Sequence, residues 1–286
     1  MVDHLYHYTD ARGLTGILTP IDLGSVWPGE SSPGVCFRAR HARDFVDDPE
    51  ELTFGAPLVA EALSDFDGDF ANLGSLTQAD FDEVASRLDA GELTPASDDG
   101  VYVASFSKTE DDPHMWAWYA SHGGGYCIEL RRQTVVATGF TMVIPYDAAQ
   151  SGVSGARQFL IGDDVAYGDA CRYKARHMLS QFPSNDNDPR WDSDHALSVW
   201  RLHIHATRIL VHLKKEKFSD ENLFRLTATI RGTGDIIEVG GSRFAKFYIP
   251  NIAGALVSVT AGLKADLDVA RDALARFPNA TLKRKS

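Results

Sequence analysis

"LYHYTDARGLTGIL", residues 5–18, sets the terms on which the rest of the chain is read. Two tyrosines bracket a histidine, and a threonine and an aspartate follow. "LYHY" reads as a short strand. "ARGLTGILTP" then reads as a short helix that places Leu14, Ile17 and Leu18 on one face. Thr9 or Asp10 supplies the N-cap and Pro20 the stop. A polar, aromatic first strand running straight into a helix is either one wall of a ligand site or the polar edge of a packed strand.

Working outward, "GVCFRA" reads as a strand. Residues 56–94 read as two helical pieces, the second opened by Thr77 and Asp80 in a capping box. "VYVASFS" alternates and is rich in β-formers, so it is a strand. "DDPHMWAWYASH" is a helix opened by Asp112 and Pro113. "GGG", residues 123–125, ends it as glycines with positive φ. "YCIELR" and "FTMVIPYD" are strands, and residues 163–182 are helical. Asp194 caps a long helix, "HALSVWRLHIHATRILVHLKKE". "FRLTATI", "DIIEVG", "FAKFYIPN" and "ALVSVTAG" are late strands, and "ADLDVARDALARF" is a last helix. Strands outnumber the helices between them. The expectation is an α+β fold with a mixed, largely antiparallel sheet and flanking helices. No composition shift marks a boundary, so residues 1–286 are read as a single domain, with 56–100 a helical insertion or lid.

Hydrophobic residues make up 44% of the 286, a globular composition with enough chain for a core. No run approaches the ~18 apolar residues that a membrane span needs. "MVDHLYHYTD" lacks the basic start and apolar stretch of a signal peptide. Cys36, Cys127 and Cys171 are far apart and odd in number, which reads as free thiols. A cytoplasmic location is the expectation. The formal charge of −12 argues against a nucleic-acid partner. The short basic clusters, "LKRKS" among them, read as solvated surface.

Metal ligation finds no support in the spacing. His203 and His205 lie two apart, which on a helix turns them to different faces. No G-x-S-x-G, phosphate-binding P-loop or dinucleotide fingerprint is present. Trp116 and Tyr119 are three apart, on one helical face, either as core or as the wall of a pocket for a flat ring. Glu221 and Arg225 are four apart and are placed to form an ion pair.

Taken in order, these pieces resemble a bacterial family, the domain-of-unknown-function family 2971. An acidic block spans Asp47 to Glu51. Phe106, Ser107, Trp116, Tyr119 and Gly125 fit a C/S-F-S block followed by an acidic turn, W-x-x-Y and a glycine-led strand. Lys214, Phe218, Glu221 and Arg225 fit a K-x-x-x-F-x-x-E-x-E-x-R block, with Leu223 at the place of its second acid. More distantly, a histidine–tyrosine pair on a first strand before an L-x-x-I-L helix resembles ADP-ribosyltransferase-like domains. That resemblance implies a split-sheet core and NAD as substrate. It implies His7 on a ribose, an aromatic ring from Tyr119 or Tyr126 on the nicotinamide, and Glu221 as the acid that stabilises positive charge on the ribose.

The binding set so implied is His7, Tyr8, Thr9, Trp116, Tyr119 and Arg225, with His7 and Glu221 catalytic. The implied reaction is transfer of ADP-ribose from NAD to a macromolecular acceptor, in bacterial defence or toxin systems. Leu223 favours an alternative, a non-catalytic nucleotide-sensing or protein-interaction module. A nucleic-acid-processing factor is a weaker third reading, which the net charge opposes.

Overall fold

The computed structural model describes residues 3–19, 34–45, 50–68, 70, 73–94, 100–143, 156–182, 194–230, 236–251 and 254–286. Pro20, Asp47 and Asp48 of the acidic block, and residues 144–147 of "VIPYD" lie outside them. In chain order the elements are β1 (His4–Thr9), α1 (Ala11–Leu18), β2 (Gly34–His41), α2 (Glu50–Ser64), α3 (Gln78–Asp89), β3 (Gly100–Ser107) and α4 (Pro113–Trp118). Then follow β4 (Tyr126–Arg131), α5 (Arg132–Thr138), β5 (Phe140–Val143), β6 (Ala156–Phe159), β7 (Ile161–Asp164), β8 (Ala166–Tyr167), α6 (Ala170–Ser180) and α7 (His195–Leu210). The last are β9 (Leu213–Lys214), β10 (Leu223–Ile230), β11 (Ile236–Val239), β12 (Ser242–Pro250), β13 (Leu256–Ala261), α8 (Leu267–Leu274) and β14 (Thr281–Arg284).

The fold is α+β, with a mixed, mostly antiparallel open sheet. The chain divides into two compact units: Met1–Arg40 with Val103–Asp163 and Glu221–Ser286, and His41–Tyr102 with Asp164–Asp220. The first unit carries the large sheet, whose path runs β14-β13-β4-β1-β3-β2-β12-β5-β6; β10 joins β3 and β7, and β11 joins β12. Full-length antiparallel pairing of β1 with β4, from His4 opposite Arg131 to Thr9 opposite Tyr126, fixes which residues share a face. Leu5, His7 and Thr9 face one side. His4, Tyr6 and Tyr8 face the other, in line with Glu129 and Cys127. Strand β14 runs parallel to β13, and α8 lies between them in the chain, the helical crossover that a parallel pair requires.

The local signals explain the helix starts. Asp10 caps α1, its Oδ1 accepting from the Gly13 amide at 2.7 Å. Asp112 caps α4 through the His114 amide at 2.8 Å, with Pro113 in the first turn. The Asp80 carboxylate reaches back to the Thr77 amide at 2.8 Å at the start of α3. Asp194 caps α7 through the Leu197 amide at 3.1 Å. Two expected helices are shorter than read: residues 163–182 are helical only from Ala170, because 161–164 and 166–167 are strands, and "HALSVWRLHIHATRILVHLKKE" is helical only to Leu210. "LKRKS" is largely exposed, as read, and Leu282 to Arg284 also lie within β14.

The glycine run has two uses. Gly123 is left-handed at φ +83°, and the preceding Ser121 and His122 are left-handed too, at 49° and 52°. Gly125 is not left-handed; it permits close approach. A β-carbon there would sit 2.3 Å from the Thr9 carbonyl oxygen and 2.9 Å from the Ala120 backbone. Backbone cannot swing aside as a side chain can. Gly125→Ala is therefore expected to cost roughly 2–3 kcal/mol in chemical denaturation. Gly16→Ala, in α1 with no atom near its added carbon, is the control and should gain up to about 1 kcal/mol. Equal effects of the two would refute the close-approach account.

The second unit is mainly helical. It contains α2, α3, α6 and α7 with the short parallel pair β8–β9. Helix α2 packs on α3, α6 and α7. The segment 56–100 thus sits beside two later helices of the same unit.

Candidate functional site

All seven sequence-nominated residues belong to the first unit, but the sheet divides them between two faces. On one face His7 packs edge-on against Phe37, with ring centroids 4.9 Å apart, and lies 5.6 Å from Phe106. Its Nδ1 lies 3.2 Å from the Ser105 carbonyl oxygen. A carbonyl can only accept, so Nδ1 carries the proton and donates. Burial among the two phenylalanines lowers the imidazole pKa from 6.5 to about 4, against the opposing pull of the Ser105 carbonyl. The ring is therefore neutral at pH 7, and Nε2 presents a lone pair. No described residue bonds to Nε2, so it is free to accept from a hydroxyl.

Ser105 is the residue that sequence reading missed. Its carbonyl fixes His7, and its Oγ accepts from Arg225 Nε at 3.2 Å. One residue of β3 thus ties a nominated histidine on β1 to a nominated arginine on β10. Its sequence trace is the first position of the C/S-F-S block, in "ASFSK", which reads as a family mark and not as a site residue. Arg225 itself is buried. Glu221, also buried, ends a 3-10 turn, Glu216–Glu221, just before β10. Asn222 separates the two, left-handed at φ 45°, and is tied down by Lys108 N–H donating to its carbonyl at 3.0 Å. Glu221 and Arg225 therefore share neither one helix nor one strand face. Leu223 is buried at the start of β10.

The opposite face holds Tyr8 and Trp116. The Tyr8 hydroxyl donates to the carbonyls of Thr109 (3.0 Å) and Glu110 (2.6 Å), and accepts from the Asp112 amide at 3.2 Å. It pins the turn that leads into α4. Burial pushes its pKa up from the ordinary tyrosine value. Trp116 is buried edge-on against Tyr8 at 5.3 Å, under Lys285 Nζ at 4.8 Å from its ring. Tyr119 does not share its face: α4 ends at Trp118, and Tyr119, the C-cap residue, is 54% exposed. Tyr126 is fully buried and donates to the Asp266 carbonyl at 2.7 Å, so its ring is closed to a ligand. Thr9 contributes backbone, opposite Tyr126 in the β1–β4 ladder.

In the second unit, His203 and His205 bond to separate carbonyls, those of Glu92 (2.8 Å) and Met178 (3.0 Å). Among the described residues no group of three or more His, Cys, Asp or Glu is placed to hold a metal ion. No helix of the described residues is long and apolar enough to cross a membrane. No family model, no curated protein and no solved structure matches this chain.

Proposed function

We propose that this chain is an ADP-ribosyltransferase-like protein that binds NAD or a related nucleotide on the His7 face of the sheet. The observation that carries the reading is the neutral His7, locked by Ser105 with Nε2 open. A ribose hydroxyl is a fitting partner, because it donates to a neutral nitrogen with no charge to neutralise. Arg225 meets the side chain of Ser105, which alternation along β3 turns to the face opposite Phe106 and His7, so it steadies the residue whose carbonyl fixes His7 without lining the same wall. Tyr8, Thr9 and Trp116 serve by holding the strand and turn, and Tyr119, at the end of the helix that packs on Tyr8, belongs to that supporting side rather than to the His7 wall. Breaking the bond between ribose C1 and the nicotinamide nitrogen sends the electron pair to neutral nicotinamide and leaves positive charge on the ribose. Glu221 would stabilise that charge. An acceptor nucleophile then bonds C1 and gives up its proton. The split-sheet core of such enzymes is part of this proposal.

The test is nicotinamide release from NAD by the purified chain, with His7→Ala and Glu221→Gln alongside. Release lowered at least about 100-fold in both variants is the expected result. Leu223 favours a second reading, in which the chain binds the nucleotide without turning it over. That reading expects an NAD-induced thermal shift, lost in His7→Ala, with no release. Neither release nor shift would end both.

A further inference from the structure

The helical unit holds a cavity of about 610 Å³ that the His7 site does not use. The volume falls within the range of small-molecule sites, about 300–1,000 Å³. Phe66, Leu73, Leu179 and Phe182 give it apolar walls. The aromatic side is built rather than incidental. Phe66 stacks on Phe81 at 4.6 Å with the rings 21° apart, and Phe182 meets Phe81 edge-on at 6.5 Å. Gly68 makes room for this arrangement: a β-carbon there would come within 2.2 Å of the Phe66 ring.

Charge at the rim selects the ligand. Arg176 is already engaged by Glu61 at 3.1 Å and Asp65 at 2.9 Å, and Glu61 also holds Arg172 at 2.9 Å. Asp67, exposed at the same rim, has neither hydrogen bond nor ion pair among the described residues. The pocket therefore offers apolar and aromatic walls beside an uncompensated carboxylate. An anion would be repelled by that carboxylate, though only weakly across water. An ammonium would meet it favourably and could also rest on aromatic faces. We infer that the helical unit binds a small organic cation, an ammonium group carried on an aromatic or branched apolar body. The body lies among Phe66, Leu73, Leu179 and Phe182, and the ammonium lies at Asp67.

Isothermal titration of the full chain with phenethylammonium tests this. One saturating site with a dissociation constant of roughly 1 mM or tighter is expected. Asp67→Asn should weaken it about tenfold, since a hydrogen bond to a charged group is lost. Leu179→Trp, which fills the cavity, should abolish it. Phenethyl alcohol and phenylacetate should bind far more weakly. Asp67 is exposed, so its variant leaves the fold intact and decides the matter even if Leu179→Trp fails to fold. The inference is overturned by an absence of saturation, by alcohol binding as tightly as the ammonium, or by Asp67→Asn binding unchanged. The thermal shift with NAD should be the same in Asp67→Asn and the unmodified chain, so this site and the His7 site stand or fall separately.

Discussion

Lys283→Met is expected to destabilise the chain by about 3 kcal/mol, more than Glu129→Gln does at the other end of the same ion pair. Glu129 sits in β4 with only 6% of its surface exposed. Its carboxylate accepts from Lys283 Nζ at 2.8 Å and from the Ser258 hydroxyl, and faces His4 Nδ1 at 2.8 Å. Burial pushes its pKa up. The Lys283 and Ser258 hydrogen bonds, with the charge of Lys283 and that of His4, outweigh burial and hold it below the usual carboxylate value. The asymmetry follows from exposure. Lys283 is half-exposed and, deprived of Glu129, can turn to water. Glu129 has no such escape, and without Lys283 it is a buried charge short of its main partner. The double variant should recover part of the loss, because the neutral amide that replaces the Glu129 carboxylate no longer needs the ammonium. Urea denaturation of the four proteins reads these effects. Equal single losses that simply add would dismiss the cluster as a support of β14.

That cluster also shows where sequence reading stops. "LKRKS" looks like solvated surface because lysines on a short segment normally are. The segment is indeed largely exposed, but Lys283 and Lys285 also alternate along β14 and its end, where they meet Glu129 and Glu110, and Asp111, respectively. Pairing with β13 across an intervening helix is non-local, and no short window carries it. The caps at Asp10, Thr77 with Asp80, Asp112 and Asp194 were legible because capping is a contact over two or three residues. The helix expected over 163–182 misplaced its start, because the short pieces 161–164 and 166–167 are strands by virtue of partners elsewhere. At the candidate site, His7 and Tyr8 are adjacent, and adjacency on a strand means opposite faces. Grouping them as co-ligands ignored that period. The Ser105 contribution to His7 was out of reach, because it comes from a backbone carbonyl and every residue has one.

The neutrality of His7 leads to the second large effect. Its folded pKa, about 4, lies below the ordinary 6.5, so between those values the folded chain holds fewer protons than the unfolded chain. The neutral ring's contribution to stability is therefore complete above pH 6.5 and is lost as pH falls towards 4. The loss should reach about 2 kcal/mol. His7→Phe, which keeps a ring beside Phe37 and Phe106 and cannot titrate, should remove that part of the acid sensitivity. Denaturation of both proteins at pH 7.5 and pH 4.5 measures it, and the same slope in both would mean that His7 is not held neutral. Nucleotide binding follows the same titration. Nε2 accepts a hydroxyl only while unprotonated, so affinity should stay level from pH 8 to about 5 and fall as pH approaches 4. A histidine that held a phosphate would do the reverse, gaining affinity as it became a cation through pH 6.5. The shape of the binding curve between pH 5 and 7 therefore separates a ribose-holding His7 from a phosphate-holding one without any substitution.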